Sequence, residues 1–117
     1  MTPPDPGAAP AVEIWAWSGC PSHEAAMEQV ATALAELGHP GAAVGLRWVE
    51  TDVEAARLGF VGSPTVVVAG TDVLPPPPGT PPSLTCRIYH RRDGRVSPLP
   101  DADDLREALA QALIPVP

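Results

Sequence analysis

Positive charge is scarce in this chain. Among its 117 residues there is no lysine, and seven arginines stand against fourteen acidic side chains, a formal net charge of −7. Binding to nucleic acid or to an anionic membrane needs a basic face, so both are excluded as general functions. Long apolar runs are missing as well. Met1 to Pro10 is rich in proline, carries Asp5 as its charged residue and has no apolar core. It is expected to be neither a secretory signal nor a membrane span, which makes the cytoplasm the expected location. Cysteine occurs only twice. In a reducing compartment such a pair is more readily free or redox-active than a permanent staple. A zinc site needs four ligands, and Cys20, His23, His39, Cys86 and His90 supply the residue types without a recognised spacing. No metal and no cofactor is therefore expected, and no internal repeat is visible.

What is present fits one domain with one modest core. The chain is 44% hydrophobic and 18% charged, a globular composition. Its seventeen prolines are clustered. Residues 1–10 are read as a disordered lead-in and residues 11–117 as the domain. Pro75 to Pro82 reads as a stiff extended loop, because proline fixes φ and cannot donate to a ladder. A proline-binding domain could dock on such a segment, but a rigid loop is the simpler account.

Periodicity supplies the elements. Val12 to Trp17 is apolar on nearly both faces, as in a central strand. A helix from about Pro21 to Leu37 carries Met27, Val30, Leu34 and Leu37 as one stripe. A strand follows at about Val44 to Glu50, then a short helix at Val53 to Leu58 capped by Thr51-Asp52. Pro64 to Ala69 is a β-branched run. Leu84 to His90 alternates, with Leu84, Cys86 and Ile88 on one face and Thr85, Arg87 and Tyr89 on the other. The neighbours of Cys86 on its own face make a core position the simplest expectation for it. Arg92 to Arg95 is a turn. Asp101 caps a last helix to Ile114, buried through Leu105, Ala108, Leu109, Ala112 and Leu113. Trp15, Trp17 and Trp48 fall in strands and are expected mostly in the core. The order is β-α-β-α-β-β-α, with parallel pairing expected for the first three strands and the fourth joined as a long-looped hairpin.

The most informative segment is Trp17-Ser18-Gly19-Cys20-Pro21-Ser22-His23, between the first strand and the first helix. Unpaired N–H groups at a helix start stabilise an anion, so a cysteine there favours its thiolate. His23 lies near enough in sequence to approach Cys20, as an imidazolium that stabilises the thiolate or as a neutral base. An exposed histidine at a helix start is the plainer alternative.

This order, with a cysteine after the first strand, resembles the thioredoxin-like superfamily, an α/β fold with a mixed four-stranded sheet flanked by helices. Cys20-Pro21-Ser22-His23 occupies the place of that family's Cys-x-x-Cys. Gly59-Phe60-Val61-Gly62-Ser63-Pro64-Thr65 looks like the stretch around its cis-proline. More narrowly, Gly-Cys-Pro-x-His, Gly-Ser-Pro-Thr and Leu-Thr-Cys-Arg-x-Tyr are similar to small bacterial thioredoxin-like proteins, some carrying an alkylmercury-lyase-like label. The resemblance implies a cis bond between Ser63 and Pro64, with Pro64 facing Cys20. It also implies that backbone groups before Pro64 pair with an extended substrate or a mixed-disulfide partner. His23 stands where the second thiol would be, so an ordinary dithiol cycle has no partner three residues on.

Three functions follow as expectations. The first is thiol–disulfide chemistry on a thiol or disulfide substrate or protein partner. Cys20 is then the reactive centre, His23 its modifier and Cys86 a distal resolving thiol, with Trp17, Ser63, Pro64 and Thr65 bordering the substrate. The second is organomercurial or soft-metal handling by Cys20 and Cys86. The third is a non-catalytic binding module on the same fold. The separation between Cys20 and Cys86 divides these readings, because a disulfide needs Cα atoms within roughly 7 Å.

Overall fold

The computed structural model describes residues 12–113. The expected lead-in at 1–10 lies outside them. Val12–Ala16 (β1) is central in a four-stranded sheet, beside Val44–Trp48 (β2) and Thr65–Val68 (β3), with Thr71–Asp72 (β4) beyond β3 in the order β2-β1-β3-β4. Three helices accompany the sheet: His23–Glu36 (α1), Asp52–Leu58 (α2) and Ala102–Ala112 (α3). Among the described residues the fold is thus mixed α/β with one parallel strand pair. Among the described residues, no helix is long and apolar enough to cross a membrane.

β1 runs parallel to β2, from Val12 opposite Val44 to Ala16 opposite Trp48. It runs antiparallel to β3, from Val12 opposite Val68 to Trp15 opposite Thr65. The expected parallel pairing of the first three strands is therefore corrected. A parallel return must carry the chain back along a full strand length. α2 has seven residues and, at 1.5 Å per residue, spans only about 10 Å. The chain instead crosses to the other side of β1 and starts β3 at the end where β2 finished.

Alternation along the central strands divides the core between the two faces. Val12, Ile14, Ala16, Val66 and Val68 pack with Ala26, Val30, Ala33 and Leu34 of α1 and with Leu105 and Leu109 of α3. Trp15 and Val67 pack on the other face with Val49, Ala55 and Phe60. Edge strand β2 is less well covered, and Trp48 is exposed rather than in the core. The caps read from sequence are present: the Thr51 hydroxyl accepts from the Glu54 N–H, and the Asp101 carboxylate accepts from the N–H groups of Asp103 and Asp104.

The segment read as a fourth strand, Leu84 to His90, differs most from expectation. Its sheet position is taken by β4, which follows β3 directly. Only Tyr89–His90 (β5) forms a strand, paired in a separate ribbon with Val96–Ser97 (β6) across the Arg92–Arg95 turn. From Cys86 onward its faces are also inverted, whereas Leu84 still packs against the core. Arg87 and Tyr89 are buried, whereas Ile88 is 70% exposed and Cys86 is exposed.

Candidate functional site: a buried and an exposed thiol in contact

Cys20 lies just ahead of α1, whose N-cap is Ser22. The loop before it is held at both ends. The Cys20 N–H donates to the Trp17 carbonyl at 3.0 Å. The Ser18 N–H and hydroxyl donate to the two carboxylate oxygens of Glu50 at 3.0 and 2.6 Å. The Trp17 indole folds over position 19, so a side chain there would have to displace it. Together these contacts turn the Cys20 side chain inward, and its residue exposure is 0%.

Ser63 and Pro64 face it. Their peptide bond is cis, and the Cys20 thiol approaches the Ser63 carbonyl at 3.5 Å. Both backbone groups of Ser63 are already paired within the chain. Its N–H donates to the Thr85 carbonyl and its carbonyl accepts from the Arg87 N–H, each at 2.8 Å, in a parallel bridge to Cys86. An extended substrate expected to pair at Ser63 would find those groups occupied by residues 85–87. Gly62 permits this close approach. Its φ is +146°, and a Cβ there would stand 3.0 Å from Arg87 Cα.

That docking brings the two cysteines together. The Cys86 and Cys20 sulfurs are 2.8 Å apart across 66 residues of sequence, and both are free thiols. A disulfide bond is about 2.05 Å long, so closing this gap requires only a small shift. The two thiols differ in ionisation. Burial opposes ionisation of Cys20, yet its pKa lies below the ordinary thiol value. The Cys86 thiol and the Ser22 N–H and hydroxyl favour its thiolate. The Cys86 pKa is raised, because its proton is held in the hydrogen bond to Cys20, with burial and the charge on Cys20 adding to the effect. Of the two sulfurs, Cys20 is the one that ionises first, with Cys86 keeping its proton.

A polar hub fixes the Cys86 segment. Arg87 Nη1 donates to Thr65 Oγ1 at 3.0 Å and to Asp72 Oδ2 at 2.9 Å, and Nη2 donates to the Leu74 carbonyl at 2.5 Å. Its guanidinium lies 4.7 Å from the Tyr89 ring centroid. The Tyr89 hydroxyl donates to the Pro64 carbonyl at 2.7 Å, and burial pushes this phenol's pKa up. Thr65 donates to the Gly62 carbonyl at 2.7 Å. Thr65 and Pro64 therefore brace the site through contacts within the chain. Arg87, Tyr89, Asp72, Ser22 and Glu50 were not among the sequence candidates. The alternation at 84–90 placed Arg87 and Tyr89 on the outer face, and no local pattern marks the other three.

His23 is not part of the thiol pair. Its ring meets Trp48 edge-on at 4.9 Å between centroids, and its Nδ1 is buried without a hydrogen-bond partner. The groups that favour ionisation of Cys20 are Cys86 and Ser22. Trp17 is half-buried against the core cluster of Trp15 and Phe60. Among the described residues, no group of three or more His, Cys, Asp or Glu side chains could hold a metal ion.

Comparison with known proteins returns no match, whether to a family model, a curated protein or a solved structure. The functional reading rests on the geometry of the site.

Proposed function

We propose that this chain is a thioredoxin-like protein that performs thiol–disulfide exchange through a distal dithiol, Cys20 and Cys86. The observation that carries the reading is the 2.8 Å contact between the two sulfurs. Three further features support it. The sheet order β2-β1-β3-β4 joins one parallel pair to antiparallel neighbours. A cis Ser63-Pro64 bond faces the cysteine at the start of α1. One thiol ionises more readily than an ordinary thiol, next to a second that can leave or be attacked. Cys86 thus supplies the second thiol absent at position 23.

In the reduced protein, oxidation by a disulfide removes both thiols and joins them. A soft-metal site fits this geometry less well. Two thiolates on opposite sides of one ion would stand about twice a metal–sulfur bond apart, on the order of 4.6 Å.

Titration of thiols before and after treatment with a mild disulfide oxidant tests the proposal. The reduced chain should show two reactive thiols and the oxidised chain none, with a mass lower by two hydrogens and no dimer. Oxidation that yields only intermolecular dimers, or leaves one thiol free in each chain, would overturn it.

A further inference from the structure

The sequence assigns first attack to Cys20, but the two sulfurs have unequal access. Cys20 has no exposed surface, whereas Cys86 is exposed. Exchange requires a thiolate to approach a substrate sulfur directly, and Cys20 is enclosed by Cys86 and Ser63. Cys86 also opens onto a cavity of about 420 Å³ walled by Val61, Pro77, Thr80, Pro81 and Ile88. That volume lies in the small-ligand range of roughly 300–1,000 Å³. Apart from His90, the charged residue lining it is Arg87, whose guanidinium is committed to Thr65, Asp72 and Leu74. The strand-pairing groups of Ser63 are filled by Thr85 and Arg87.

We propose that Cys86, not Cys20, forms the first covalent bond to substrate, and that the cavity beside it admits a small uncharged disulfide. The inference rests on the dithiol reading above. Stiff proline walls and an exposed Ile88 offer apolar contact, and no open sheet edge is left at Ser63 for an extended peptide. The Cys86 sulfur attacks one sulfur of a substrate R–S–S–R′. A Cys86–S–R bond forms and the substrate S–S bond breaks. The Cys86 proton goes to water, and the departing sulfur leaves as R′S⁻ and takes a proton from water. Cys20 then loses its own proton and attacks Cys86 Sγ. The Cys20–Cys86 bond forms, and RS⁻ departs and takes a proton from water. The protein loses two electrons and the substrate gains them.

Stopped-flow reaction with dithiodipyridine, a small uncharged disulfide, tests this order. Wild type should release two pyridinethione equivalents and end as the internal disulfide. Cys20→Ser should release one equivalent and keep a stable pyridyl adduct on Cys86. Cys20→Ala, which buries no hydroxyl, should behave alike. Cys86→Ser should react about a hundredfold more slowly or less, since its remaining sulfur is enclosed. Fast labelling of Cys20 in Cys86→Ser, with slow labelling of Cys86 in both Cys20 variants, would overturn the order of attack and leave the dithiol reading standing. A wild type capped separately on both sulfurs, with no internal disulfide, would overturn both. For the cavity, Ile88→Asp should slow capture of dithiodipyridine about tenfold, the loss of roughly one apolar contact. It should leave capture of the much smaller methyl methanethiosulfonate unchanged. An equal effect on both reagents, or on neither, would overturn the cavity assignment.

Discussion

The two cysteine-bearing segments are built on opposite principles. The Cys20 segment joins β1 to α1, two elements with buried apolar faces in one core. Its position follows from local code: an apolar strand, a tight glycine-containing turn and a helix start. The Cys86 segment has almost no regular structure, with one bridge to Ser63 and a two-residue strand. A buried arginine, a buried tyrosine and two backbone hydrogen bonds place it. One thiol is set by a strand–helix junction with one long-range polar tie, Ser18 to Glu50, and the other almost wholly by polar contacts from distant residues. The site is therefore only as well formed as the polar anchoring of residues 85–89.

The strongest way to break this comparison is to remove its hub. Arg87→Ala leaves Asp72 and Thr65 without their partner. The ion pair is only partly solvated, with side-chain exposures of 4% and 21%, and breaking it should cost about 3 kcal/mol. Urea unfolding should show that loss, and formation of the Cys20–Cys86 disulfide should slow in parallel. Unchanged stability would mean that residues 85–89 are held in some other way.

Gly62→Ala is expected to be next. It forces a side chain onto φ +146° and against the Arg87 backbone, at a cost of about 1–3 kcal/mol. Disulfide formation should slow here too, because the same contact docks Cys86. Thr51→Ala sharpens the contrast from the other side. It removes the cap of α2 and should cost about 1 kcal/mol. It should leave the rate of disulfide formation unchanged, since α2 does not anchor residues 85–89.

The smallest effect concerns ionisation. Cys86→Val keeps Cys20 covered but removes the thiol that donates to it. The thiolate absorbance of Cys20 should then appear at higher pH than in wild type. In wild type the folded pKa of Cys20 lies below its unfolded value. Ionisation of Cys20 therefore adds stability as pH rises through its folded pKa, and the raised pKa of Cys86 takes stability away again once Cys86 of the unfolded chain ionises. In Cys86→Val that alkaline gain should shrink, as followed by thermal unfolding across the thiol range.

Much of the fold is readable along the chain. The stripe of Val30 and Leu34, the Thr51 and Asp101 caps and the β-branched run at Thr65–Val68 all act locally, and each appears where periodicity or capping chemistry puts it. Strand direction was not readable. Pairing of β1 with β3 depends on where a seven-residue helix delivers the chain. Trp48 was misread because the core pattern of a strand does not reveal that the strand lies at the sheet edge. The alternation at 84–90 was real, but its apolar-in assumption failed. Arg87 and Tyr89 are buried because their polar ends meet Asp72, Thr65 and Pro64.

The sequence by itself determined that a cysteine stands at the start of the first helix and that a Gly-Ser-Pro-Thr turn precedes a buried strand. Both depend on residues adjacent in the chain, where backbone geometry and local hydrogen bonding are decided by neighbours. Tertiary structure alone decided that Cys86 meets Cys20, that Cys20 is the enclosed sulfur and that His23 turns to Trp48. Contact across 66 residues exists only after loop-closure entropy has been overcome by the assembled core and by the Arg87 hub. Those contributions come from side chains that no local window contains.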